Sequence, residues 1–221
     1  MLDSEKRDLL QSLSTPFLVD AMHGEGIPQR HLDIGIRPVV AYSKMVGAAT
    51  TVKLKQIDDE AKCDLMGMEG VYGSPSESCS RIIVIEVPPP LHAYGIVGDG
   101  GATMGRRHGF VGALVEGAVR DTSGLKEMNF AAFSRTVSPG LIMGKAAFES
   151  VGQPVQVGGQ TICDGDVVVA DNDGVVVIRD SELDRLAARA VAICAWEQRT
   201  KELVEAGKTW QEAEKILSEK P

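Results

Sequence analysis

The run from Arg81 to Val87, RIIVIEV, constrains the fold more than any other segment. Neighbouring positions of a strand face opposite sides of its sheet, so a run that is apolar at both parities needs cover on both faces, as in a parallel α/β sheet. The residues after this run fit a β-loop-α-β unit: Pro88-Pro89-Pro90, the loop Gly98-Asp99-Gly100-Gly101, a helix-compatible Ala102 to His108, and a second apolar strand from Phe110 to Glu116. Gly117-Ala118-Val119-Arg120-Asp121 then leads into a short helix, Thr122 to Met128, and a strand, Ala131 to Thr136. Repeated alternation of this kind predicts an α/β fold, with doubly wound topology as its natural form.

The flanking segments extend this frame. Lys6 to Leu13 is amphipathic, and Ser14-Thr15-Pro16 opens a second helix through Met22, with Gly24 and Gly26 ending it. Val39 to Ala41 and Lys44 to Leu54 carry β-branched alternation, and Asp58 to Met68 reads as a short helix. Between Val155 and Ile178, short runs of Val and Ile are punctuated by Gly158-Gly159, Asp164-Gly165-Asp166 and Asp171-Asn172-Asp173-Gly174, the pattern of β-hairpins whose acids serve tight turns. Ser181 to Ala206 shows helical apolar spacing and Gly207 stops it. No linker divides the chain, which reads as one domain, 1–221, with a core of about 14–179 and a C-terminal helical extension of about 180–218.

A net charge of −8 argues against nucleic acid as a direct partner, because backbone binding needs clustered Lys and Arg. Cys63, Cys79, Cys163 and Cys194 are scattered, without a C-x-x-C pair, so neither a zinc site nor a disulfide framework is indicated. Residues 1 to 20 lack the apolar core of a signal peptide, and no window reaches the roughly eighteen apolar residues of a membrane helix, so the expected location is cytoplasmic and off the membrane.

Ligands of parallel α/β sheets bind outside the carboxyl ends of the strands. Asp99 and the pair Arg120-Asp121 both fall at that edge, separated by twenty intervening residues. Gly100 and Gly101 let backbone N–H groups approach an anion at a helix start, which suits a substrate carboxylate. A hard cation such as Mg²⁺ takes few protein carboxylates and keeps positions open for a chelating 2-oxo acid, and Asp121 is the expected direct ligand. Arg120 offers paired donors to a planar carboxylate or enolate oxygen.

Three stretches, LSTPFLVDAM, VGDGGATMGRRHGFVGALVEGAVRD and VGGQTICDGDVVVADNDGVVVI, together resemble the RraA-like family, which includes 4-hydroxy-4-methyl-2-oxoglutarate and 4-carboxy-4-hydroxy-2-oxoadipate aldolases with oxaloacetate decarboxylase activity. The resemblance implies a layered α/β sandwich related to the swivelling domains. It also implies a divalent-metal-dependent lyase that releases pyruvate through a stabilised enolate, with Mg²⁺ or Mn²⁺ on Asp121 and pyruvyl oxygens on Arg120. Asp99 would orient water and move protons, and the backbone around Gly98, Gly100, Gly101 and Ala102 would receive the substrate carboxylate. Homotrimers or hexamers built as dimers of trimers are implied too, with Glu197 or Glu205 reaching the site from a neighbouring subunit. The family's namesake gives the alternative, a non-catalytic protein that binds and regulates ribonuclease E.

Against that pattern, Glu116 stands where many relatives carry Asp, and the segment Glu86 to Tyr94 is longer and richer in proline, which opens the question of substrate and of a pocket role for His92 or Tyr94. Taken singly, Asp121 before Thr-Ser-Gly-Leu reads as a helix N-cap; it becomes a ligand only in company with Asp99 and Arg120. Arg106, Arg107 and His108 read as a solvated cluster, and Met66, Met68 and Met143 as packing residues.

Overall fold

The computed structural model describes residues 2–41, 43–65, 71, 80–218 and 220–221. Cys79, Met66 and Met68 lie outside them, as does the end of the helix expected from Asp58; the start of that segment forms a single 3-10 turn, Glu60–Lys62. The helices are α1 (Ser4–Ser12), α2 (Thr15–Gly24), α3 (Asp99–Arg107), α4 (Thr122–Glu127), α5 (Leu183–Glu205) and α6 (Trp210–Leu217). The strands are β1 (Arg37–Pro38), β2 (Met45–Gln56), β3 (Arg81–Glu86), β4 (Gly95–Val97), β5 (Phe110–Val119), β6 (Ala131–Val137), β7 (Ala146–Val151), β8 (Val155–Val157), β9 (Gln160–Ile162), β10 (Val167–Ala170) and β11 (Val175–Ile178).

One mixed sheet runs in the order β1-β6-β5-β3-β2-β10-β11, with β4 added to β5 and β7 to β2. Its centre is parallel: β2 pairs β3, β3 pairs β5 and β5 pairs β6. The sheet curls toward closure, because the chain ahead of β1 reaches the far edge through a His31–Val176 bridge, and Arg37 donates to the carbonyls of Asn172 and Asp173.

Both faces of β3 are buried, as its composition demands. Ile83 and Ile85 join Ala102 of α3 and Leu125 of α4 in one core, while Ile82 and Val84 join Val155, Val157 and Ile162 of the β8–β9 hairpin in another. Here the topology departs from the doubly wound expectation. The parallel strands follow one another in space without reversal, and crossovers of one hand then place both connecting helices on the same side. The other face is closed by antiparallel ribbons, an α/β sandwich of unlike layers. A third core packs α1, α2 and α5 on Val167, Val169, Val176 and Ile178.

The acids of residues 164–173 do more than shape turns. Asp171 accepts from Thr15 N–H at 2.8 Å and from its hydroxyl at 2.7 Å, so it caps α2, while the Ser14 side chain makes no cap bond. Asp164 accepts from Thr51 N–H at 3.0 Å, and Asp166, 5% exposed, pairs with Arg179. Burial pushes the Asp166 carboxyl above its ordinary value, against the opposing pull of Cys163 N–H and Arg179.

Glu116 is a brace between layers. One oxygen accepts from Arg135 Nε and the other from Gly158 N–H at 2.5 Å, while Arg135 also holds Asp33 at 3.0 Å. The extra methylene of Glu over Asp spans from β5 to the β8–β9 turn. Glu116→Ala leaves Gly158 N–H and Arg135 without this acceptor and is expected to cost about 1–3 kcal/mol in urea unfolding. A loss below about 0.5 kcal/mol, the scale of an ordinary surface change, would show that the brace does not hold the layers together.

Candidate active site at the carboxyl edge

The site begins with a backbone pairing. The short strand β4 lies parallel to the last residues of β5, with Gly95 opposite Ala118 and Val97 opposite Val119. Arg120 N–H closes the ladder on Val97 C=O at 2.9 Å. Two chains thus leave the same edge side by side, one as Gly98-Asp99 into α3 and the other as Arg120-Asp121 into α4.

Asp121 occupies the position before α4 in the left-handed conformation, φ 54° and ψ 43°, and its side chain makes no capping hydrogen bond. The simple capping reading of this residue therefore fails. Left-handed backbone is costly for most residues and tolerable for Asp, and such conformations gather at functional sites. Its carboxylate faces Arg120, with Nε 3.2 Å from Oδ2 and 3.4 Å from Oδ1, both side chains being about one-third exposed. Asp99 opens α3, is exposed, and its carboxylate accepts no hydrogen bond among the described residues.

Two glycines make room for these carboxylates. Gly98 has φ −128° and ψ −170°, a conformation open to any residue, so its backbone does not require glycine. Space does: a Cβ there would stand 2.3 Å from Asp121 Oδ2 and 3.0 Å from Arg120 Cγ. Gly124 sits inside the short helix α4, where glycine costs roughly 0.5–1 kcal/mol relative to alanine. A Cβ at Gly124 would meet Asp99 Cβ at 2.8 Å and Oδ2 at 3.0 Å. Each loop therefore carries a carboxylate and, on the facing element, the glycine against which the other loop's carboxylate rests. Gly95 does the same for the Arg120 stem, which a Cβ would approach at 2.8 Å.

Asp99, Arg120, Asp121 and the Gly98-Gly100-Gly101 loop are thus gathered as the sequence predicted. Ala102 is not available in the expected way: it is fully buried and its N–H donates to Gly98 C=O at 2.9 Å inside α3, which leaves the anion-receiving role to the residues before it. Among the described residues nothing stands within 4 Å of a Cβ at Gly100 or Gly101. His92 Nε2 lies 2.8 Å from Val87 C=O within its own loop, and the Tyr94 ring lies under Lys145 at 5.0 Å. Glu197 is held by Lys201 at 2.6 Å on α5.

Beneath α3 is a cavity of about 510 Å³ that reaches Gly98, Gly100 and Gly101. No sequence signal pointed to it, because it is bounded by strand residues whose apolar character already had an explanation in the core.

As a metal centre the arrangement is sparse. Among the described residues no three His, Cys, Asp or Glu side chains come within ligating reach of one another. Asp121, whose side-chain partner among the described residues is Arg120, has acceptor capacity left and fits a hard cation that keeps most of its shell for water and substrate.

A family model described as Aldolase/RraA, RraA-like, matches residues 15–177. The chain belongs to the RraA-like family. DlpA of Legionella pneumophila is 26% identical over 211 residues, 93% of this chain and 33% of DlpA, so the chain spans a third of that relative's length. A provisionally named 4-hydroxy-4-methyl-2-oxoglutarate aldolase of Halalkalibacterium halodurans is 28% identical over 181 residues, 81% of this chain and 79% of its own. In three dimensions an uncharacterised protein from Pseudomonas syringae superposes with a TM-score of 0.81 at 25% identity, over 96% of this chain and 98% of that one. No helix among the described residues of this RraA-like chain is long and apolar enough to cross a membrane.

The glycine contacts generate a test. Gly98→Ala is expected to displace the Asp121 carboxylate and weaken Mn²⁺ binding, read by isothermal titration, by about tenfold or more, the scale on which changes just outside a metal's ligands act. Gly124→Ala should move Asp99, because its Cβ would stand 2.8 Å from Asp99 Cβ, and the shift this forces offsets the roughly 1 kcal/mol by which alanine is the better helix residue. Unaltered Mn²⁺ affinity in the first variant would separate Asp121 from metal binding.

Proposed function

We propose that this chain is a carbon–carbon lyase that releases pyruvate from a small 2-oxo acid, by retro-aldol cleavage of a 4-hydroxy-2-oxo acid and by decarboxylation of oxaloacetate. The observation that carries the proposal is the pairing of Asp99 with Arg120-Asp121 across β4 and β5, each carboxylate resting on a glycine of the facing element. Membership of the aldolase-containing family supports the same reaction class.

Both reactions leave electron density on the pyruvyl fragment as an enolate. Arg120 would donate to its oxygens, and a positioned cationic donor stabilises developing charge without reorganising. A divalent cation on Asp121, Mg²⁺ or Mn²⁺, would supply further Lewis acidity at the 2-oxo group. The first turn of α3 presents N–H groups toward the substrate carboxylate, where the helix end favours an anion. Asp99, with no hydrogen-bonding partner of its own among the described residues, takes the C4 hydroxyl proton directly or through one water, and later returns it to C3.

The site lies at the sheet edge with both carboxylates open to solvent, so assembly into trimers or hexamers would supply the cover that excludes bulk water. The test is pyruvate release from oxaloacetate and from 4-hydroxy-4-methyl-2-oxoglutarate, with Mg²⁺ or Mn²⁺ and with EDTA, corrected for metal-only breakdown. Release is expected to depend on enzyme and metal. It should fall on the order of 10²–10³-fold in Asp121→Ala and in Arg120→Ala, the scale of removing one electrostatic stabiliser. Full activity in both variants, or no release by a folded oligomer from oxaloacetate or from any 4-hydroxy-2-oxo acid, would refute the proposal.

A further inference from the structure

The cavity beneath α3 differs in character from the site it adjoins. Its walls are Val52 and Leu54 of β2, Ile83 and Ile85 of β3, Met104 of α3 and Phe148 of β7; the described residues lining it include no Lys, Arg, Asp or Glu, and His108, 8% exposed, is the one ionisable side chain among them. At about 510 Å³ it falls within the usual size range of small-molecule pockets. It meets the carboxyl edge at Gly98, Gly100 and Gly101, where the glycines place no side chain of their own between the two spaces. Met104, 45% exposed, stands one turn further along the same face of α3.

We infer that this cavity receives an apolar substituent, aliphatic or aromatic, carried on C4 of the 4-hydroxy-2-oxo acid that the site cleaves. The inference rests on the lyase reading and adds the class of substrate. The carboxylate and 2-oxo group stay at the start of α3 and Arg120, while the C4 substituent crosses the glycines into the cavity. A second carboxylate at that position would lose its water to a wall whose described residues offer no Lys or Arg and a single, buried His108, and a buried charge without full pairing is strongly disfavoured. An alkyl or phenyl group loses nothing there and leaves water for a surface of its own kind. In the reaction the C3–C4 bond breaks and its electron pair passes to C3 as pyruvate enolate. The C4 hydroxyl loses its proton as C4 becomes the carbonyl of an apolar aldehyde or ketone, and C3 takes up a proton to give pyruvate. No oxidant or co-substrate enters the balance.

The experiment compares kcat/KM of the full chain with Mg²⁺ for 4-hydroxy-2-oxo-4-phenylbutanoate, which yields benzaldehyde, and for 4-hydroxy-4-methyl-2-oxoglutarate, which carries a carboxylate in the same region. Oxaloacetate runs alongside as a substrate too short to reach the cavity. A preference for the phenyl substrate of at least about tenfold is expected, the low end of what one methylene-sized difference in an apolar pocket achieves. Met104→Lys should reduce that preference or invert it. Oxaloacetate turnover with equal or better cleavage of the dicarboxylate overturns the apolar assignment and leaves the lyase standing. A phenyl preference that Met104→Lys leaves unchanged, in a folded variant, also overturns it by taking the cavity out of the selection. Absence of pyruvate from all three substrates overturns the lyase reading and the inference with it.

Discussion

The hydrogen bond from Arg120 N–H to Val97 C=O, 2.9 Å long, is the rung on which the site depends. Without it β4 has no fixed register on β5, and the loop that carries Asp99 has no fixed position relative to the loop that carries Asp121. The rung is secured from both sides. Val97 and Val119 are buried in the core shared with α3 and α4, and Ser138 N–H adds a second bond to Val119 C=O at 2.9 Å. Backbone geometry thus fixes the relative placement of two acidic side chains, and Arg120 pairs with one of them, Asp121.

The same dependence explains which parts of the molecule were legible in the sequence. RIIVIEV announced a strand buried on both faces, and β3 is one; the twenty-residue spacing from Asp99 to Arg120 gave the crossover that returns the chain to the same edge. What covers the second face was not legible, because apolar residues at both parities require cover without specifying it. A hairpin and a helix satisfy Ile82 and Val84 equally well. The strands Gly95–Val97 and Ala146–Val151 were also missed, the first for its brevity and the second because Ala146-Ala147 and Glu149-Ser150 blur the period of two.

Glycine gave the least expected information. A glycine is usually explained by a backbone conformation, and Gly98 and Gly124 have conformations that alanine could adopt. Their signal in the sequence is therefore a local misfit: glycine in the middle of a six-residue helix, three positions after a carboxylate, with no turn to make. Such departures from local propensity concentrate where function sets the residue. The turn acids taught the converse. Asp164, Asp166 and Asp171 had a sufficient local explanation as hairpin punctuation, yet each reaches across the fold to Thr51, Arg179 or Thr15, and a sufficient local explanation hid a tertiary one.

The sparseness of the candidate metal centre stems from the same construction. A cation held by several protein carboxylates would be tightly bound and coordinatively full, with little room for a chelating substrate. One carboxylate, placed by a left-handed residue and restrained by an adjacent guanidinium, leaves positions open at the edge where a 2-oxo acid would arrive. Arg120 also limits how negative the site becomes in a chain of net charge −8, so that an anionic substrate meets a cationic donor first rather than a bare pair of carboxylates. On the lyase reading, the cost of this economy would be weak intrinsic affinity for the metal. That is tolerable where substrate chelation completes the shell, because metal and 2-oxo acid then each raise the other's affinity by the same factor.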